Sequence, residues 1–323
     1  MKTAAFIVPT GIGASIGGFA GDASVFAREI AKNNRLIVNP NVVNAACFSG
    51  ITDNMLYTEG FALDEFFQGK IALRPSQNNK IGVIFDKSIP QNILNIHLNT
   101  INAVKTVYGV NIFAHIITEE PVGVEFCLEE SGISSGKINN PKTLLKAGEN
   151  LKKQGAEVLA VVCFFNEPEE DNYASGHGVD VIGGVEAVIS HVLTKKLRLQ
   201  TAHAPAFEDI SIKDAVVDPR AAAEYITPTF LPCILLGLQN APQLIPIEEA
   251  QKNDITVDKI DALIMPYNSL GCVPVLEASR RNIPIIAVLE NRTILDVTAQ
   301  KLGVEVVEVE SYDEAKKVLN TLY

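Results

Sequence analysis

The sequence predicts an α/β protein in which helices flank a mostly parallel β-sheet. Short apolar runs of strand length alternate with segments whose apolar residues recur at helical spacing. Residues 156–165 are apolar almost throughout, which is typical of a strand covered on both faces. The last third alternates strand and helix three times, which implies parallel strands with right-handed crossovers. The 323 residues suffice for two lobes, 1–130 and 131–323, or for one continuous domain.

The N-terminal elements are predicted from apolar runs and the residues that interrupt them. Residues 4–8 and 35–38 have the composition of buried strands. Residues 23–30 are predicted as a helix with Asp22 as its cap. A second helix is predicted over 53–67, where apolar side chains share one face.

The rest of the chain is interpreted by the same rules. Helices begin near proline or end at glycine, and strands are short apolar runs between turn residues. Residues 131–140 and 201–209 are rich in turn-forming or polar residues and are predicted as loops. The other predicted strands are 80–86, 110–117, 122–128, 156–165, 259–265, 283–289 and 304–309, and the other predicted helices are 90–109, 141–155, 185–193, 221–239, 273–281, 293–302 and 312–322.

Composition and charge exclude several classes of partner. The 38 acidic and 27 basic residues give a formal net charge of -11, which disfavours nucleic acid and anionic membranes, because both bind basic surfaces. We expect a small-molecule ligand, and a homo-oligomer is compatible with the composition. The five cysteines are odd in number and widely spread, which indicates free thiols in a reducing compartment. No apolar run has the length of a membrane span and the chain opens on a core strand, so we expect a cytoplasmic protein.

A glycine-rich segment, residues 10–22, follows the first predicted strand and is called here the first glycine loop. A strand, a glycine turn and a helix together let backbone amides converge on an anion. The residues expected to bind the anion are Gly11, Gly13, Ser15, Gly17 and Gly18. A structural turn that packs the helix against the strand is the alternative interpretation.

The first glycine loop does not match the standard nucleotide motifs. Ile16 stands where a dinucleotide fingerprint has its third glycine, and no lysine precedes Lys32, as a phosphate loop would need. Residues 13–17 do match the Gly-x-Ser-x-Gly pattern of a hydrolase nucleophile elbow, with Ser15 as nucleophile. That interpretation stays open as a rival.

A second glycine-rich segment, residues 176–184, opens the predicted helix 185–193 and is called the second glycine loop. It adds further candidate ligand-binding residues, and other candidates lie at predicted strand ends. His191 comes five residues after Glu186, so the two are not expected to share a helix face closely. The candidate ligand-binding residues of the second glycine loop and the predicted strand ends are Gly176, His177, Gly183, Gly184, Glu186, Asn44, Asn268 and Arg292.

Cys47 and Cys272 are the candidate catalytic thiols, because both lie among small residues after predicted strands. A thiol near a helix start is expected to have a lowered pKa. Two thiols on opposite sides of one carbon can remove a proton and return it on the other face. The alternative is that each cysteine is a small buried hydrophobic residue, as we expect for the other three.

The segment Ser269-Leu270-Gly271-Cys272 resembles the second cysteine motif of the aspartate/glutamate racemases. The resemblance implies a proton-transferring thiol at Cys272. Val273-Pro274 stands where that family has Thr-His or Thr-Glu, and Cys47 lacks the Asn-Thr neighbours of the first motif.

His203 is the strongest histidine candidate, since Glu208 and Asp209 follow closely enough to orient its imidazole. A metal is not favoured, because no closely spaced His or Cys pair typical of zinc sites occurs. If a metal is bound, we expect His177, His203, Glu208 and Asp209 as its ligands. No cofactor is required.

The whole chain resembles one protein family without an assigned function. The likeness runs from the first glycine loop through residues 41–47 to His203-Ala204-Pro205. It implies a full-length family domain and carries no reaction.

These observations favour an enzyme that acts on a small anionic metabolite, a carboxylate or a phosphorylated compound. Acid/base or thiol chemistry of the isomerase or lyase type is expected, with Cys47 and His203 as the reactive pair and Glu208 or Asp209 orienting the histidine. One alternative is a transferase that binds a nucleotide or coenzyme phosphate at the first glycine loop. Another is a metabolite sensor without catalysis.

Overall fold

The computed structural model describes residues 1–165, 173–208 and 215–322. The strands formed by these residues are β1 (Thr3–Phe6), β2 (Arg35–Val38), β3 (Asn44–Ala45), β4 (Phe48–Ser49), β5 (Met55–Tyr57), β6 (Ile71–Arg74), β7 (Ile81–Phe85), β8 (Ile112–Ile117), β9 (Val124–Leu128), β10 (Ser134–Ile138), β11 (Val158–Phe164), β12 (Gln200–Ala206), β13 (Gln243–Pro246), β14 (Ala262–Pro266), β15 (Ile285–Val288) and β16 (Val307–Val309). The α-helices are α1 (Ser24–Ala31), α2 (Pro40–Val43), α3 (Gly60–Phe67), α4 (Gln91–Tyr108), α5 (Pro141–Lys153), α6 (Val181–Leu197), α7 (Ala222–Tyr225), α8 (Leu231–Gln239), α9 (Val273–Arg280), α10 (Ala299–Leu302) and α11 (Tyr312–Thr321).

Two parallel sheets organise the chain and confirm the predicted α/β fold. The larger sheet has six strands in the order β16-β15-β14-β1-β2-β5, and the smaller has four in the order β12-β11-β7-β8. Every strand pair in both sheets is parallel. The six-stranded sheet takes strands from both ends of the chain, whereas the four-stranded sheet comes from the middle. The division into lobes at residue 130 stays a prediction, and the six-stranded sheet has strands on both sides of it.

Helices cover both faces of the six-stranded sheet with their apolar sides. On one face the ring centroids of Phe6 and Phe26 lie 4.8 and 5.0 Å from that of Tyr312. These contacts join β1, α1 and α11. On the other face Phe66 of α3 and Val275 of α9 pack in one buried cluster. The strands are therefore covered on both sides, as their continuous apolar runs predict.

The four-stranded sheet is covered in the same way. Leu151 of α5 and Ile189 of α6 are fully buried against the apolar side chains of β11 on one face. Ile93 of α4 and Leu235 of α8 are buried on the opposite face. The helix α6 thus lies between this sheet and α3, which it also contacts.

Three predicted segments are corrected by the structure. The predicted helix 53–67 is strand β5 followed by α3, because Glu59 caps the helix only from Gly60 onward. The predicted loop 131–140 contains β10, which pairs antiparallel with β9 although its own side chains are mostly small or polar. The predicted loop 201–209 contains β12, an edge strand, where Pro205 is tolerated.

Helix boundaries also differ from the prediction at several points. Ala23, not Asp22, is the N-cap residue of α1, and the Asp22 carboxylate instead accepts a hydrogen bond from the Gly17 amide. The predicted helix 221–239 is split into α7 and α8, and the predicted helix 293–302 shortens to α10. None of the helices in the described part of the chain has the length and apolar character needed to cross a bilayer.

Candidate functional site

A cavity of about 730 Å³ lies where elements of the two sheets meet. Its wall includes Pro9, Asn39, Glu59 and Cys272, which follow the carboxyl ends of β1, β2, β5 and β14. The four-stranded sheet contributes β12 and α6, the helix that follows β11. Open parallel sheets bind their ligands at the carboxyl ends of strands, so this cavity is the candidate functional site.

Two buried or half-buried asparagines hold the strand ends beside the cavity. The Asn39 side chain accepts a hydrogen bond from the Val8 amide at 3.1 Å and donates one to the Val8 carbonyl at 2.8 Å. Asn41 donates to the Gly17 carbonyl at 2.7 Å. These bonds join β1 to β2 and hold the first glycine loop against both, beside one wall of the cavity.

His203 and Glu186 form one polar group in the cavity wall. The histidine lies on β12 and the glutamate in the first turns of α6, which Asp180 caps by accepting hydrogen bonds from the amides of Ile182 and Gly183. His203 Nε2 is 3.7 Å from Glu186 Oε2, and both side chains are largely buried. Since 3.7 Å exceeds a hydrogen-bond distance, the two groups are neighbours without a direct bond.

His203 has a second polar contact, with Ser190. Ser190 Oγ lies 2.9 Å from His203 Nδ1 and is within reach of the carbonyls of Glu186 and Ala187, at 3.3 and 3.2 Å. A hydroxyl both donates and accepts, so this contact suits either neutral tautomer of His203. When the Ser190 hydrogen bonds a helix carbonyl, its oxygen accepts from His203 Nδ1–H and the Nε2 lone pair lies on the side of Glu186.

A second histidine, His191, lines the same cavity and pairs with Glu59. Its Nδ1 contacts Glu59 Oε1 in an ion pair, and Glu59 is almost completely buried. The same carboxylate accepts hydrogen bonds from the amides of Phe61 and Ala62, which caps α3. The absence of a side chain at Gly60 makes room for the imidazole, since a Cβ there would lie 2.7 Å from His191 Cε1.

The two histidines have pKa shifts of opposite sign. Burial, together with the smaller effect of the charge of His191, lowers the pKa of His203 to about 3. Burial also acts to lower the pKa of His191, but the hydrogen bond and charge of Glu59, together with the charge of Asp64, outweigh it, so that pKa is raised. Two imidazoles in one cavity therefore favour opposite protonation states, neutral for His203 and charged for His191.

Burial raises the pKa of two carboxyl groups in the cavity wall. Burial raises the pKa of Glu186 well above its ordinary value, and the nearby charge of Asp180 adds to the shift. Burial likewise raises the pKa of Asp64 to about 6. Glu186 Oε1 is buried and has no hydrogen-bond partner among the residues that the structure describes. Titratable groups with such shifts in a cleft are typical of functional sites.

The candidate thiols are distributed over two places. Cys272 lines the cavity, but burial raises its pKa to about 11, so the expected lowering at a helix start is wrong. Its Sγ lies 3.8 Å from the sulfur of Met265. Cys47 lies in a separate depression of about 390 Å³, although Thr227, which donates to its Sγ at 3.3 Å, lines the main cavity. We predict Cys47 and His203 as a reactive pair, but the structure does not place them in one cavity.

Both glycine loops pack tightly against protein. In the first loop, the amides of Ser15, Ile16 and Gly17 donate to Arg292 O, Asn291 Oδ1 and Asp22 Oδ1. Gly11 approaches Ser134 so closely that a Cβ would lie 2.9 Å from its side chain, and only Gly18 of the five predicted anion-binding residues lines the cavity. These contacts favour the structural turn over the anion cradle.

The second glycine loop has the same character. The amides of Gly183 and Gly184 donate to Asp180 Oδ1 and Ser134 Oγ. A Cβ on Gly184 would lie 2.3 Å from the Ser134 carbonyl oxygen, so this glycine allows α6 to approach β10. Gly183 lines the cavity, whereas Gly176 packs against Arg220 and its carbonyl accepts from that guanidinium at 2.6 Å.

The remaining predicted residues lie at several places. Asn44 lines the cavity and accepts a hydrogen bond from Tyr57 Oη at 3.0 Å. Asn268 binds backbone groups of the segment 293–295, and Ser15 Oγ accepts from the Arg292 amide at 2.8 Å, so both fix loops.

Arg292, His177 and Glu208 are exposed and are not among the residues that line the cavity. Asp209 lies outside the described residues. Within the described part of the chain, no group of three or more His, Cys, Asp or Glu side chains is placed to hold a metal ion.

Sequence reasoning missed four cavity residues: Glu59, Asp64, Ser190 and His191. Glu59 is hidden inside the predicted helix 53–67. Once β5 is recognised, Glu59 stands between a strand end and a helix start, which is a position typical of ligand-binding residues. His191 and Glu186 both reach the cavity because it is wide enough to contact two faces of α6.

Comparisons with known proteins identify the family. Residues 3–322 match the family model described as protein of unknown function (DUF3326). The chain is 39% identical over 318 residues to a protein of Synechococcus sp. named an uncharacterized lipoprotein, and the match covers 97% of this chain and 88% of the relative. No solved structure matches it significantly. The full-length resemblance to a family without an assigned function is thus confirmed, the racemase likeness at Cys272 stays a prediction, and the chain belongs to the DUF3326 family.

Proposed function

We propose that the protein is an enzyme that moves protons within a small polar metabolite, as an isomerase or a lyase, without redox chemistry. One observation carries this proposal: two histidines line one cavity, one in an ion pair with a buried carboxylate and the other beside a serine hydroxyl. These environments shift the two pKa values in opposite directions. A pair of titratable groups whose environments separate their pKa values is the usual arrangement of a general base and a general acid. The roles follow from those environments.

His203 is the proposed base. In the tautomer whose Nδ1–H donates to Ser190 Oγ, the Nε2 lone pair takes a proton from a carbon of the substrate. Burial keeps the imidazole neutral at physiological pH, so no proton has to be lost before it acts. Glu186 lies beside Nε2 and is a positioning residue for the imidazolium that forms.

His191 is the proposed acid. Its ion pair with Glu59 stabilises the imidazolium, and Nε2–H is free of that pair to donate a proton to a second atom of the substrate. Donation to a carbon completes an isomerisation, and donation to a departing oxygen or nitrogen completes an elimination. Each turnover leaves His203 protonated and His191 neutral, and exchange with water restores both.

The residues of the cavity wall support a substrate other than the anion expected from the sequence. None of the described lining residues is lysine or arginine, and Arg292, the predicted anchor for an anion, is exposed elsewhere. Carboxyl groups outnumber the two histidines on the wall. A neutral or positively charged metabolite is therefore better supported than an anion.

The experiment is a turnover screen in deuterated water. Wild-type protein is incubated with a fractionated metabolite extract, and mass spectrometry follows solvent deuterium entering a metabolite, a new isomer, or the loss of a small leaving group. We expect at least one such change, and its loss in His203→Asn and in His191→Asn. The exposed variant His177→Asn is the control and should retain turnover. A wild type that binds a metabolite but changes none is a sensor, and this outcome overturns the enzyme proposal.

We propose separately that the protein is located in the cytoplasm. Its composition favours this location, whereas the name of the relative, lipoprotein, favours attachment to a membrane. Fractionation of cells that express the native gene, with detection of this chain in soluble and membrane fractions, decides between them. Recovery in the membrane fraction contradicts the cytoplasmic proposal.

A further inference from the structure

The charge distribution around Glu186 narrows the class of ligand. Five carboxyl side chains line the cavity, and the described lining residues include no lysine or arginine to balance them: they are Glu59, Asp64, Asp180, Glu186 and Glu224. Most of these acids have partners inside the protein. Glu59 pairs with His191, Asp180 caps α6, and Glu224 accepts from the Ala20 amide at 2.8 Å.

Glu186 differs from the other acids of the wall. The residue is 7% exposed, and its Oε1 has no hydrogen-bond partner in the described part of the chain. A buried polar atom without a partner costs free energy unless something else satisfies it. Because Glu186 lines the cavity, a ligand with donor groups is the natural partner for this carboxyl group.

Aromatic side chains complete the wall. They are Phe19, Tyr173, Phe207, Tyr225 and Phe230. Carboxylates together with aromatic rings bind organic cations, through ion pairing and cation–π contacts. A bare metal ion fits less well, since the described residues offer no cluster of three ligands and the cavity is far larger than an ion.

We propose, on the basis of the function proposed above, that the substrate carries an organic ammonium group and that Glu186 is its counter-ion. An ammonium donates up to three hydrogen bonds, and the Glu186 carboxyl group in the cavity wall offers acceptor oxygens for them. The acidic wall then determines which substrates the cavity accepts.

Binding of this cation is coupled to a proton. Burial disfavours the charged form of Glu186 in the empty cavity. An ammonium beside it favours the carboxylate, so the proton leaves as the cation enters. The groups that face Glu186 from the packed elements are Asp180 on α6, Cys163 on β11, His203 on β12 and Cys233 on α8. Burial raises the pKa values of both thiols, so neither is expected to supply this proton.

The test compares three probes of similar size and different charge: 2-phenylethylammonium, 2-phenylethanol and 3-phenylpropionate. Isothermal titration calorimetry at one pH, in two buffers with different ionisation enthalpies, measures affinity and released protons. We expect the ammonium to bind at least about tenfold more tightly than the other two and to release protons. We also expect at least about a tenfold loss of ammonium affinity in Glu186→Gln and no proton release from that variant.

Two further variants keep the test decisive. Glu186→Asp retains the carboxyl group and should keep proton release, even if the glutamine variant fails to fold. Glu308→Gln removes an exposed glutamate on β16 and should bind as the wild type does. The inference is overturned if the ammonium does not bind, if the neutral or anionic probe binds as tightly, or if Glu186→Gln retains the wild-type affinity.

Failure of this inference is distinguishable from failure of the proposed enzyme function. The calorimetry needs no turnover, and the turnover screen needs no ammonium substrate. A chain that converts a neutral metabolite and loses activity in His203→Asn keeps the proposed function and contradicts the ammonium substrate.

Discussion

At the scale of single residues, the most informative contrast is between His191 and His203. Both line one cavity, yet one is paired with a buried carboxylate and the other with a serine hydroxyl. A charged partner stabilises the imidazolium, whereas burial with a neutral partner destabilises it. In the sequence the two histidines are twelve residues apart, and their neighbours along the chain do not indicate which side chain each one contacts.

We expect NMR titration to separate these histidines. Across the pH range, the pKa of His191 should lie above the ordinary value of 6.5 and that of His203 should lie far below it, near 3. Signals are assigned by the single variants His191→Asn and His203→Asn. In Glu59→Gln the pKa of His191 should fall, because the charge that stabilises the imidazolium is removed while the helix cap keeps an acceptor oxygen. Two histidines that titrate together near 6.5 would contradict the acid and base roles.

At the scale of elements, the glycines at the start of α6 determine how closely the helix packs. Gly184 has no space for a side chain, because a Cβ would lie 2.3 Å from the backbone oxygen of Ser134. The helix carries Glu186, Ser190 and His191 to the cavity, so this close approach also positions the site. A glycine that looks like part of an anion cradle in the sequence is required here by packing.

We expect Gly184→Ala to destabilise the fold by overpacking, by about 2–3 kcal/mol. The comparison is Gly109→Ala, at the left-handed C-cap of α4, where open space surrounds the missing Cβ. That variant should cost only about 1 kcal/mol, for the backbone conformation alone. Urea unfolding at one temperature measures both free energies. Equal costs would mean that α6 and β10 can separate without penalty, and that the close approach is not needed.

The elements that the sequence predicted well are those with strong apolar patterns. Strand β2 begins and ends where predicted, and α4 ends at Gly109 as predicted. Strand β12 was predicted as a loop because its alanines, histidine and proline resemble turn residues. Its pairing with β11 and its covering helices override that local preference. Since His203 lies in β12, the same error hid the true neighbours of the best histidine candidate.

At the scale of the whole molecule, the site depends on contacts that no local pattern contains. The wall joins the strand ends of a sheet built from both chain termini to a helix and a strand from the middle of the chain. Glu208 was predicted as the partner of His203 because it is near in sequence, whereas Glu186, on the preceding helix, is near in space. The sequence allows each candidate residue to be proposed singly. Which of these residues share a cavity depends on the strand order of the two sheets.

The burial of a neutral His203 also affects the stability of the whole molecule. Its pKa is about 3 in the folded chain and near the ordinary 6.5 when unfolded. Between these values the unfolded chain binds more protons at this site, so the free energy of unfolding rises with pH, by up to about 1.4 kcal/mol per pH unit. The stabilising contribution is fully present above pH 6.5 and is lost as the pH falls toward 3. Asp22 and Asp64 act in the opposite direction below pH 6, because burial raises both pKa values to about 6 and the folded chain then binds the extra protons.

The opposing carboxyl groups mean that the wild-type curve alone does not isolate His203. We therefore expect the effect in a difference, the free energy of unfolding of the wild type minus that of His203→Asn, measured by urea unfolding from pH 4 to pH 7. Asp22 and Asp64 contribute equally to both proteins and cancel, so the difference should rise with pH over this range and level off near pH 7. The same difference for His177→Asn, an exposed histidine, should stay flat. A flat difference for His203→Asn would mean that the imidazole is solvated in the folded protein, and the base proposed for the reaction would then lack the buried environment that keeps it neutral.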